Sequence, residues 1–280
     1  MIVIADSGST KTDWRLVSDP SHVKSIKTVG FNPFFVSTQE MIDELMPKLG
    51  EYTQAVDEVY FYGAGCSSLE RNEIIELALA KIFPKAYIQV NHDLLAAARG
   101  VCGNEPGLVA ILGTGSNACV FDGTEIISQT RSLGYLLGDE GSGAYFGKQL
   151  ITDFLNKELP SDVLHAFTQK FKPDPNDILN KIYKEEKPNR YFASFSTFFK
   201  DIINTAYAQR VMTQGFNLFL ERHILKFKGH HTMPLNFVGS IGFHFHQFLK
   251  EAVDKQELNL NYIIQTPIEN LVVYHLNNPH

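Results

Sequence analysis

The sequence predicts an α/β protein made of two related halves. The first half reads as three strands followed by alternating helices and strands, in the order βββαβαβ. From Gly107 onward, a strand, a glycine turn and a returning strand begin the same scheme again. A chain of 280 residues, of which 44% are hydrophobic, is long enough to form two domains with separate cores.

Each half opens with a hairpin whose turn is rich in glycine and hydroxyl groups. Residues 6–13 read DSGSTKTD, and residues 113–117 read GTGSN. Small residues let backbone amides and hydroxyls converge on one spot, which suits a phosphate. Asp6 has the chemistry to bind Mg²⁺ through water. We expect two facing hairpins that clamp one polyphosphate; the alternative is a pair of ordinary hairpin turns, in which these residues are common.

The remaining elements follow from hydrophobic periodicity and from glycine and proline punctuation. In the first half we expect strands at 23–29, 56–62 and 86–90, and helices at 39–49, 70–82 and 94–101. In the second half we expect helices at 142–156, 161–171, 175–184, 193–227 and 247–253, with a strand at 235–238. A composition break near 102–106 sets the boundary, giving lobes 1–107 and 108–280, the second with a helical insert.

Composition excludes several classes of function. The formal net charge of −6, without a dense Lys/Arg cluster, argues against a nucleic-acid surface. Cys66, Cys102 and Cys119 form no Cys-x-x-Cys pair, so neither a zinc ribbon nor a disulfide framework is predicted. No apolar run reaches the roughly eighteen residues that a membrane span needs, and Met1 leads directly into the first strand, without a signal peptide. We expect a cytoplasmic protein that binds neither nucleic acid nor membrane.

A carboxylate follows the last predicted strand of the first half. Asp93 lies after the strand at 86–90 and before the helix at 94–101, where α/β proteins present reactive groups. In transfer of a γ-phosphoryl group to a hydroxyl, an aspartate in this position can accept the hydroxyl proton. The same position also fits an N-cap of the helix. Sequence position alone leaves both roles open.

Two glycine-bearing segments of the second half complete the candidate set. Residues 133–144, LGYLLGDEGSGA, place the adjacent acids Asp139 and Glu140 among four glycines. Acids favour a helix start, but the glycines indicate close approach of a ligand, and a polyol fits because carboxylates and amides bind its hydroxyls. Residues 237–242, FVGSIG, form a strand-to-helix turn against which an adenosine can lie, although such turns are common.

In this order, and along nearly the whole chain, these motifs resemble the BadF/BadG/BcrA/BcrD ATPase family, and within it the N-acetylglucosamine kinase branch. The pair GTGSN at 113–117 and GDEGS at 138–142 carries most of the specificity. The resemblance implies the actin-like ATPase fold, in which two ribonuclease-H-like lobes hold nucleotide and acceptor in the interlobe cleft.

The resemblance also implies roles for individual residues. It places Asp6 near Mg²⁺ and makes Asp93 the base for the 6-hydroxyl of the sugar. The residues implied to bind ATP are Gly8, Ser9, Thr10, Lys11, Thr114, Gly115, Gly239 and Ser240. The residues implied to bind the sugar are Asn32, Asp93, Ser116, Asn117, Leu133, Gly134 and Asp139.

Three positions depart from the family pattern. Mammalian-type members have Trp where this chain has Leu133, and Glu where it has Asp6, which leaves the identity of the sugar open. Bacterial relatives often have Gly at the position of Asn270, and we expect a turn there that Asn tolerates through a positive φ.

We therefore expect a kinase that uses ATP and Mg²⁺ to phosphorylate the 6-hydroxyl of N-acetylglucosamine or a related amino sugar. A second hypothesis is an ATPase activator of a 2-hydroxyacyl-CoA dehydratase-type enzyme. It needs closely spaced thiolates for an iron–sulfur cluster, which Cys102 and Cys119 do not offer. A noncatalytic sensor of sugar and ATP is the third hypothesis. The oligomeric state stays open, and a homodimer is one of its options.

Overall fold

The computed structural model describes residues 1–8, 10–185 and 187–279, and it separates into two compact units. The first unit comprises Met1–Glu105, Gly123–Glu125 and the segment from Thr266 onward. The second comprises Pro106–Asp122 and Ile126–Gln265. The predicted scheme kept the whole chain beyond residue 107 in the second half, whereas the structure returns the last segment to the first unit.

The first unit is built on a five-stranded sheet in the order β3-β2-β1-β4-β5. Its strands are β1 (Ile2–Ser7), β2 (Lys11–Asp19), β3 (His22–Val29), β4 (Glu58–Gly63) and β5 (Tyr87–His92). The first three run antiparallel, whereas β4 and β5 run parallel to β1. Three helices connect and cover this sheet: α1 (Thr38–Leu49), α2 (Leu69–Ile82) and α3 (Asp93–Cys102).

The second unit repeats this topology. Its sheet has the order β10-β9-β6-β7-β8, with β6 (Gly107–Leu112), β7 (Ser116–Phe121), β8 (Ile126–Gln129), β9 (Leu235–Val238) and β10 (Leu260–Ile264). Again the first three strands in sequence are antiparallel, and the last two run parallel to the first. The α/β class and the relation between the two halves are therefore confirmed at the level of topology.

Eight helices of the second unit lie within residues 134–255. They are α4 (Gly134–Leu137), α5 (Gly143–Leu155), α6 (Ser161–Phe171), α7 (Pro175–Tyr183), α8 (Pro188–Phe195), α9 (Ala206–Arg222), α10 (Ser240–His244) and α11 (His246–Lys255). The prediction of one helix over 193–227 is wrong. A 3₁₀ turn over Ser196–Lys200 follows α8, and α9 begins anew where Thr205 accepts a hydrogen bond from the amide of Ala208 at 3.2 Å.

The core of the second unit is rich in aromatic side chains. Phe146 contacts Phe216 edge to face, with ring centroids 5.3 Å apart, and Phe167 contacts Phe198 in the same way at 5.6 Å. The four phenylalanines between Pro188 and Lys200, which are Phe192, Phe195, Phe198 and Phe199, are all buried, and Tyr191 is partly buried against them. Their contribution is therefore to packing.

The last helix, α12 (Ile268–Asn277), packs in the first unit. Its buried Leu271 joins the apolar cluster that holds Ile4 and Val17 on one face of the sheet. Asn270 lies within this helix and donates from Nδ2 to the carbonyl of Gly100 on α3 at 2.7 Å. The expected turn with a positive φ at Asn270 is thus wrong, because the residue is helical and its amide ties two helices together.

None of the described helices is both long and apolar enough to cross a bilayer.

Candidate functional site

The carboxyl ends of the parallel strands bring two acidic residues to one edge of the first sheet. Asp6 of β1 lies in register with Tyr62 of β4, which in turn lies in register with Asn91 of β5. Asp93 follows two residues later, as the first residue of α3. The negative charge of Asp93 helps to raise the pKa of Asp6. Ligands of α/β proteins bind at this edge of the sheet.

The carboxylates at this edge of the sheet repel one another. Burial, reinforced by the charges of Asp93 and Asp13, raises the pKa of Asp6 to about 7. Burial also raises the pKa of Asp93, although the neighbouring His92 acts against it. The hydroxyl of Thr266 donates to Oδ2 of Asp6 at 3.4 Å. A cation beside these carboxyl groups would relieve their mutual repulsion.

The donor set at Asp6 fits Mg²⁺ bound through water. Carboxylate oxygens are the ligands that this hard cation prefers, and it keeps several of its own waters. Within the described ranges, no three acidic, histidine or cysteine side chains are arranged to ligate a metal directly. The fit is therefore to a hydrated ion beside Asp6 and not to a cage made of protein ligands.

The start of α3 is capped by a residue other than Asp93. The ring nitrogen Nδ1 of His92, at the N-cap, accepts a hydrogen bond from the amide of Leu95 at 3.2 Å. The N-cap interpretation of Asp93 is therefore wrong, since Asp93 occupies the first helical position. A carboxyl group with a raised pKa is a better proton acceptor than an ordinary aspartate, which suits the base role.

The first glycine turn connects β1 and β2. Its described part closes where the amide of Gly8 donates to the carbonyl of Lys11 at 3.0 Å, and the carbonyl of Thr10 accepts from the amide of Gly30, also at 3.0 Å. The ammonium group of Lys11 contacts Oδ2 of Asp13 at 2.7 Å, yet 61% of the Lys11 side chain is exposed. The buried carboxylate of Asp13 thus orients the Lys11 side chain, most of which remains exposed to solvent. Ser9, also predicted to bind ATP, lies outside the described residues.

A buried serine fixes the residue that precedes Asn32, at the same end of the sheet. The Ser7 hydroxyl accepts from the amide of Phe31 at 3.0 Å and contacts Thr12 at 2.8 Å. Oδ1 of Asn32 accepts from the amide of Phe34 at 3.0 Å. The amide group of the Asn32 side chain, Nδ2, donates to no atom within residues 1–8, 10–185 and 187–279, and so it is open to a ligand.

The second glycine turn is fixed by the helix that follows the GDEGS segment. The amide of Gly143 donates to the carbonyl of Gly113 at 2.8 Å, and the amide of Ala144 donates to that of Thr114 at 3.0 Å. A Cβ atom on Gly115 would lie 3.1 Å from Oδ2 of Asp139, closer than ordinary contacts. The two motifs that carry most of the resemblance therefore pack directly against each other.

Ser116 and Asp139 form the polar centre of this arrangement. Oδ1 of Asp139 accepts from the amide of Ser116 at 3.3 Å, and burial raises the pKa of Asp139. Asp139 adopts a φ of 57°, an uncommon conformation that turns its side chain toward β7. The Ser116 hydroxyl is buried and has no hydrogen-bond partner in the described part of the chain. Buried polar atoms rarely stay unpaired, and a ligand hydroxyl would satisfy this one.

The other residues predicted to bind the sugar flank this centre. Oδ1 of Asn117 accepts from the amide of Ala118 at 2.9 Å. Leu133 is 52% exposed, immediately before α4. Gly134 begins that helix with a φ of 68°. Asn117 is adjacent to Ser116 in the chain, and Leu133 and Gly134 precede Asp139 in the glycine-bearing segment.

The turn after β9 adjoins the second glycine turn. Gly239 has a φ of 126°, and a Cβ atom there would collide with the carbonyl of Leu112 at the end of β6. Its amide donates to the carbonyl of Ile264 at 2.9 Å. Only glycine fits this position, and the exposed Ser240 follows it at the start of α10. Thr114 and Ser240 therefore belong to neighbouring turns.

Sequence reasoning missed an ionic network around the buried carboxylate of Glu140, next to Asp139. Glu140 forms ion pairs with Arg222 and with Nε2 of His223, the latter at 3.2 Å. Nδ1 of His223 contacts the Thr130 hydroxyl at 2.8 Å. The basic partners lie at the end of α9, too far along the chain for any spacing rule to pair them with Glu140. Asp13 was also missed, although its register opposite Asp6 follows from the hairpin.

Two of the comparisons with known proteins concern sugar kinases of bacteria. A solved structure from Porphyromonas gingivalis, assigned as a candidate N-acetylglucosamine kinase, matches with a TM-score of 0.94 and 38% identity over 99% of both chains. A curated N-acetylmuramic acid/N-acetylglucosamine kinase from Clostridium acetobutylicum is 27% identical over 177 residues, which are 60% of this chain and 56% of that protein. This chain thus matches little more than half of the curated relative.

A third comparison shows the fold alone. A ROK family glucokinase from Streptomyces griseus, solved with glucose and AMPPNP, matches with a TM-score of 0.56 and 12% identity over 98% of this chain and 97% of that one. No family model matches the chain.

Two sheets of identical strand order, with glycine turns at the ends of their strands, form a fold that is similar to those of these two solved structures. At 38% identity over 99% of both chains, the chain belongs to the same family as the Porphyromonas gingivalis protein. The narrower resemblance to the BadF/BadG/BcrA/BcrD ATPases stays a prediction.

Proposed function

We propose that this protein is an ATP-dependent kinase that phosphorylates the 6-hydroxyl of N-acetylglucosamine or a closely related amino sugar. The observation that carries the proposal is the pair of acids, Asp6 and Asp93, at the carboxyl edge of the first sheet, with the pKa of each raised. One acid suits a site for a cation, and the other suits an acceptor for the hydroxyl proton. Phosphoryl transfer to a hydroxyl requires both of these roles. The names of the sugar-kinase relatives support the class of acceptor.

Residues for binding the acceptor are proposed in each unit separately. In the first unit, Nδ2 of Asn32 offers a donor, and Asp93 accepts the proton of the attacking hydroxyl. In the second unit, the unpaired Ser116 hydroxyl and the Asp139 carboxyl offer a donor and an acceptor for sugar hydroxyls. Asn117, Leu133 and Gly134 are proposed to complete this set, because they flank the same loops.

The nucleotide would be bound by the backbone of three turns. The residues proposed to bind the phosphates are Gly8, Ser9, Thr10, Lys11, Thr114 and Gly115. Gly239 and Ser240 are proposed for the adenosine, because the backbone of Gly239 packs against Leu112 and Gly113, directly beside the turn of Thr114 and Gly115. Bound at Asp6 through water, Mg²⁺ would neutralise the charge on the phosphate oxygens. An analogue of ATP is bound in the structure of the Streptomyces griseus glucokinase.

The test is a panel of amino sugars with ATP and Mg²⁺, in which release of ADP is followed and the product is identified. We expect N-acetylglucosamine to be converted to its 6-phosphate. For Asp93→Asn, turnover should fall by about 10²- to 10⁴-fold, because an amide cannot accept the hydroxyl proton. ATP affinity, measured by calorimetry, should change little in this variant.

The matched control is Asp43→Asn, which alters an exposed aspartate on α1 that accepts a hydrogen bond from Gln39. This variant should keep wild-type turnover. Wild-type turnover in Asp93→Asn would remove Asp93 from the role of base. Phosphorylation of none of the amino sugars would overturn the substrate class, and binding of sugar and ATP without ADP release would favour the sensor hypothesis.

A further inference from the structure

Two adjacent phenylalanines next to Asn32 are exposed in a way that packing does not explain. Phe34 is 56% exposed and Phe35 is 55% exposed, and their ring centroids lie 6.2 Å apart. Large aromatic side chains side by side at a surface usually mark a binding site. Aromatic rings beside a polar side chain provide a surface on which the apolar parts of a small polar ligand pack.

An arginine from α2 lies on one of these rings. The guanidinium carbon of Arg71 is 3.8 Å from the centroid of the Phe34 ring, and Nη1 donates to the Ser67 hydroxyl at 3.1 Å. Stacking on an aromatic face fixes the plane of a guanidinium and covers one of its faces. The group is therefore oriented before any ligand binds.

Arg71 has no acidic partner within residues 1–8, 10–185 and 187–279. Elsewhere, Arg15 pairs with Glu269, and Arg222 pairs with Glu140. The guanidinium of Arg71 contacts the phenyl ring of Phe34 and the hydroxyl of Ser67, neither of which carries a charge. A guanidinium has five N–H donors, and only one of them is used by Ser67. The remaining donors suit a carboxylate, which can accept two of them at once.

The arginine and the asparagine belong to one compact cluster. The amide of Phe34 donates to Oδ1 of Asn32 at 3.0 Å. Gly65 has a φ of 88°, and a Cβ atom there would lie 3.1 Å from Cδ2 of Phe34 and in collision with Oδ1 of Asn32. The amide of Ser67 donates to the carbonyl of Gly65 at 2.9 Å. A ligand held by Asn32 thus has the Phe34 ring and the Arg71 guanidinium as its next neighbours.

We propose that Arg71, oriented by Phe34 and Ser67, binds a carboxylate carried by the acceptor sugar. The acceptor class is then an amino sugar with an acidic substituent, such as the lactyl ether of N-acetylmuramic acid. This inference rests on the proposed function, because it assumes that Asn32 binds the sugar. Arg71 sets the choice between acidic and neutral amino sugars and has no part in moving the proton.

The test compares N-acetylmuramic acid with N-acetylglucosamine as ligands and as substrates of the wild type and of Arg71→Gln. Because charged hydrogen bonds are lost, the KM and the Kd for N-acetylmuramic acid should rise by about 10- to 100-fold in the variant. Both constants for N-acetylglucosamine, and kcat for both sugars, should stay at wild-type values. Arg71→Lys, which keeps the charge without the planar fork, should recover part of the loss.

A neutral ligand provides a second control. The methyl ester of N-acetylmuramic acid has the same shape without the charge, and the wild type should bind it as weakly as Arg71→Gln binds the acid. Arg210→Gln is the matched protein control, because Arg210 also lies over an aromatic ring, that of Tyr207 at 5.4 Å, but on α9 of the second unit. This variant should leave the constants for both sugars unchanged.

Three outcomes would overturn the inference. An equal loss for both sugars in Arg71→Gln would show that the arginine only holds the loop of Asn32. Equal affinity of the wild type for the acid and its ester would show that no charge is recognised. Turnover of N-acetylglucosamine without binding of N-acetylmuramic acid would refute it and leave the proposed function intact. Without turnover of any sugar the proposed function fails, and the two binding constants still decide the role of Arg71.

Discussion

Glu140 illustrates how one side chain can fix the shape of a binding loop. It is buried, it lies next to Asp139, and its carboxylate pairs with Arg222 and His223. A buried carboxylate that keeps its charge needs such partners, and the two basic groups accordingly help to lower its pKa against the effect of burial. The position of Asp139 is therefore tied to the end of α9.

Replacing Glu140 by Gln should destabilise the second unit. The amide cannot satisfy His223 and Arg222 as the carboxylate does, so the free energy of unfolding should fall by about 1 to 3 kcal/mol. Urea denaturation followed by circular dichroism measures this change. Because Asp139 moves with its neighbour, the Kd for the sugar should rise in the same variant, which titration of the folded protein detects.

An exposed ion pair provides the comparison. Lys170 and Asp201 lie 2.6 Å apart, with 41% and 50% of their side chains exposed. Lys170→Gln should change the free energy of unfolding by less than about 1 kcal/mol, because solvent screens this pair. An equal loss in Lys170→Gln and Glu140→Gln would contradict the importance of the buried network.

His275 is a buried residue whose charge the fold disfavours. Burial, together with the positive charge of Arg99, lowers the pKa of His275 to about 3. Its ring is stacked on that of Tyr60, and its Nε2 contacts the Tyr62 hydroxyl at 2.9 Å. With Tyr274, whose ring centroid lies 5.3 Å from that of His275, the neighbouring groups are three phenols and one guanidinium. None of these groups carries the negative charge that would stabilise a protonated imidazole.

The stability of the protein should therefore fall in mild acid through His275. In the unfolded chain this histidine takes up its proton near pH 6.5, whereas in the fold it does so only near pH 3. Between these values the unfolded state binds more protons than the folded state, so the free energy of unfolding decreases as the pH falls. Above this range the contribution of the neutral histidine to stability is fully present. His275→Gln should show a shallower loss between pH 6.5 and 3 in urea denaturation. Parallel pH profiles of the two proteins would refute this assignment.

At the scale of elements, helices and strands with a strong apolar periodicity could be predicted from the sequence, whereas those without such a periodicity could not. Helix α1 and helix α6 lie within a residue of their predicted bounds, because each alternates a buried with an exposed face. The long helix over 193–227 was wrong because aromatic residues continue the apolar pattern through a 3₁₀ turn. Periodicity does not show where a local cap such as Thr205 interrupts a helix.

Two strands were missed for a common reason. Strands β8 and β10 are the two edges of the second sheet. Of the four residues in β8 three are exposed, so no apolar alternation marks it. Edge strands have one free side and are short and polar in most proteins, which hides them from pattern-based prediction. Only the pairing with β7 and β9 defines them.

Helix α12 was also missed, and its packing yields a prediction. Leu271 is fully buried between this helix and the sheet, in the cluster that contains Ile4. Leu271→Ala should lower the free energy of unfolding by about 2 to 5 kcal/mol, because it removes buried methyl groups and leaves a cavity. The measurement is urea denaturation, supported by limited proteolysis of the first unit.

The matched control for Leu271→Ala lies on the same helix. Val273 is 58% exposed, so Val273→Ala should change the free energy of unfolding by less than about 0.5 kcal/mol. Comparable losses in the two variants would mean that helix propensity, and not burial, decides the contribution of α12.

At the scale of the whole molecule, the repeat was the most informative property of the sequence. Two hairpins with related turns predicted two sheets of related order, and the strand orders of both units agree with this. Local motifs also predicted the positions of Asp93 and Asp139, since each follows a recognisable strand or glycine segment. Local patterns could not predict contacts between residues that are far apart in the chain, such as those of Arg222 with Glu140 and of Arg71 with Phe34.

The return of residues from Thr266 onward to the first unit has a consequence for biosynthesis. A ribosome makes all five strands of the first sheet early, but it delivers α12 only after the second unit has been translated. Until then the apolar patch around Ile4 and Val17 lacks the part of its cover that α12 provides. The nascent chain therefore exposes an apolar surface while some 160 residues of the second unit are translated. Chaperones that recognise exposed apolar segments should bind the chain during that interval.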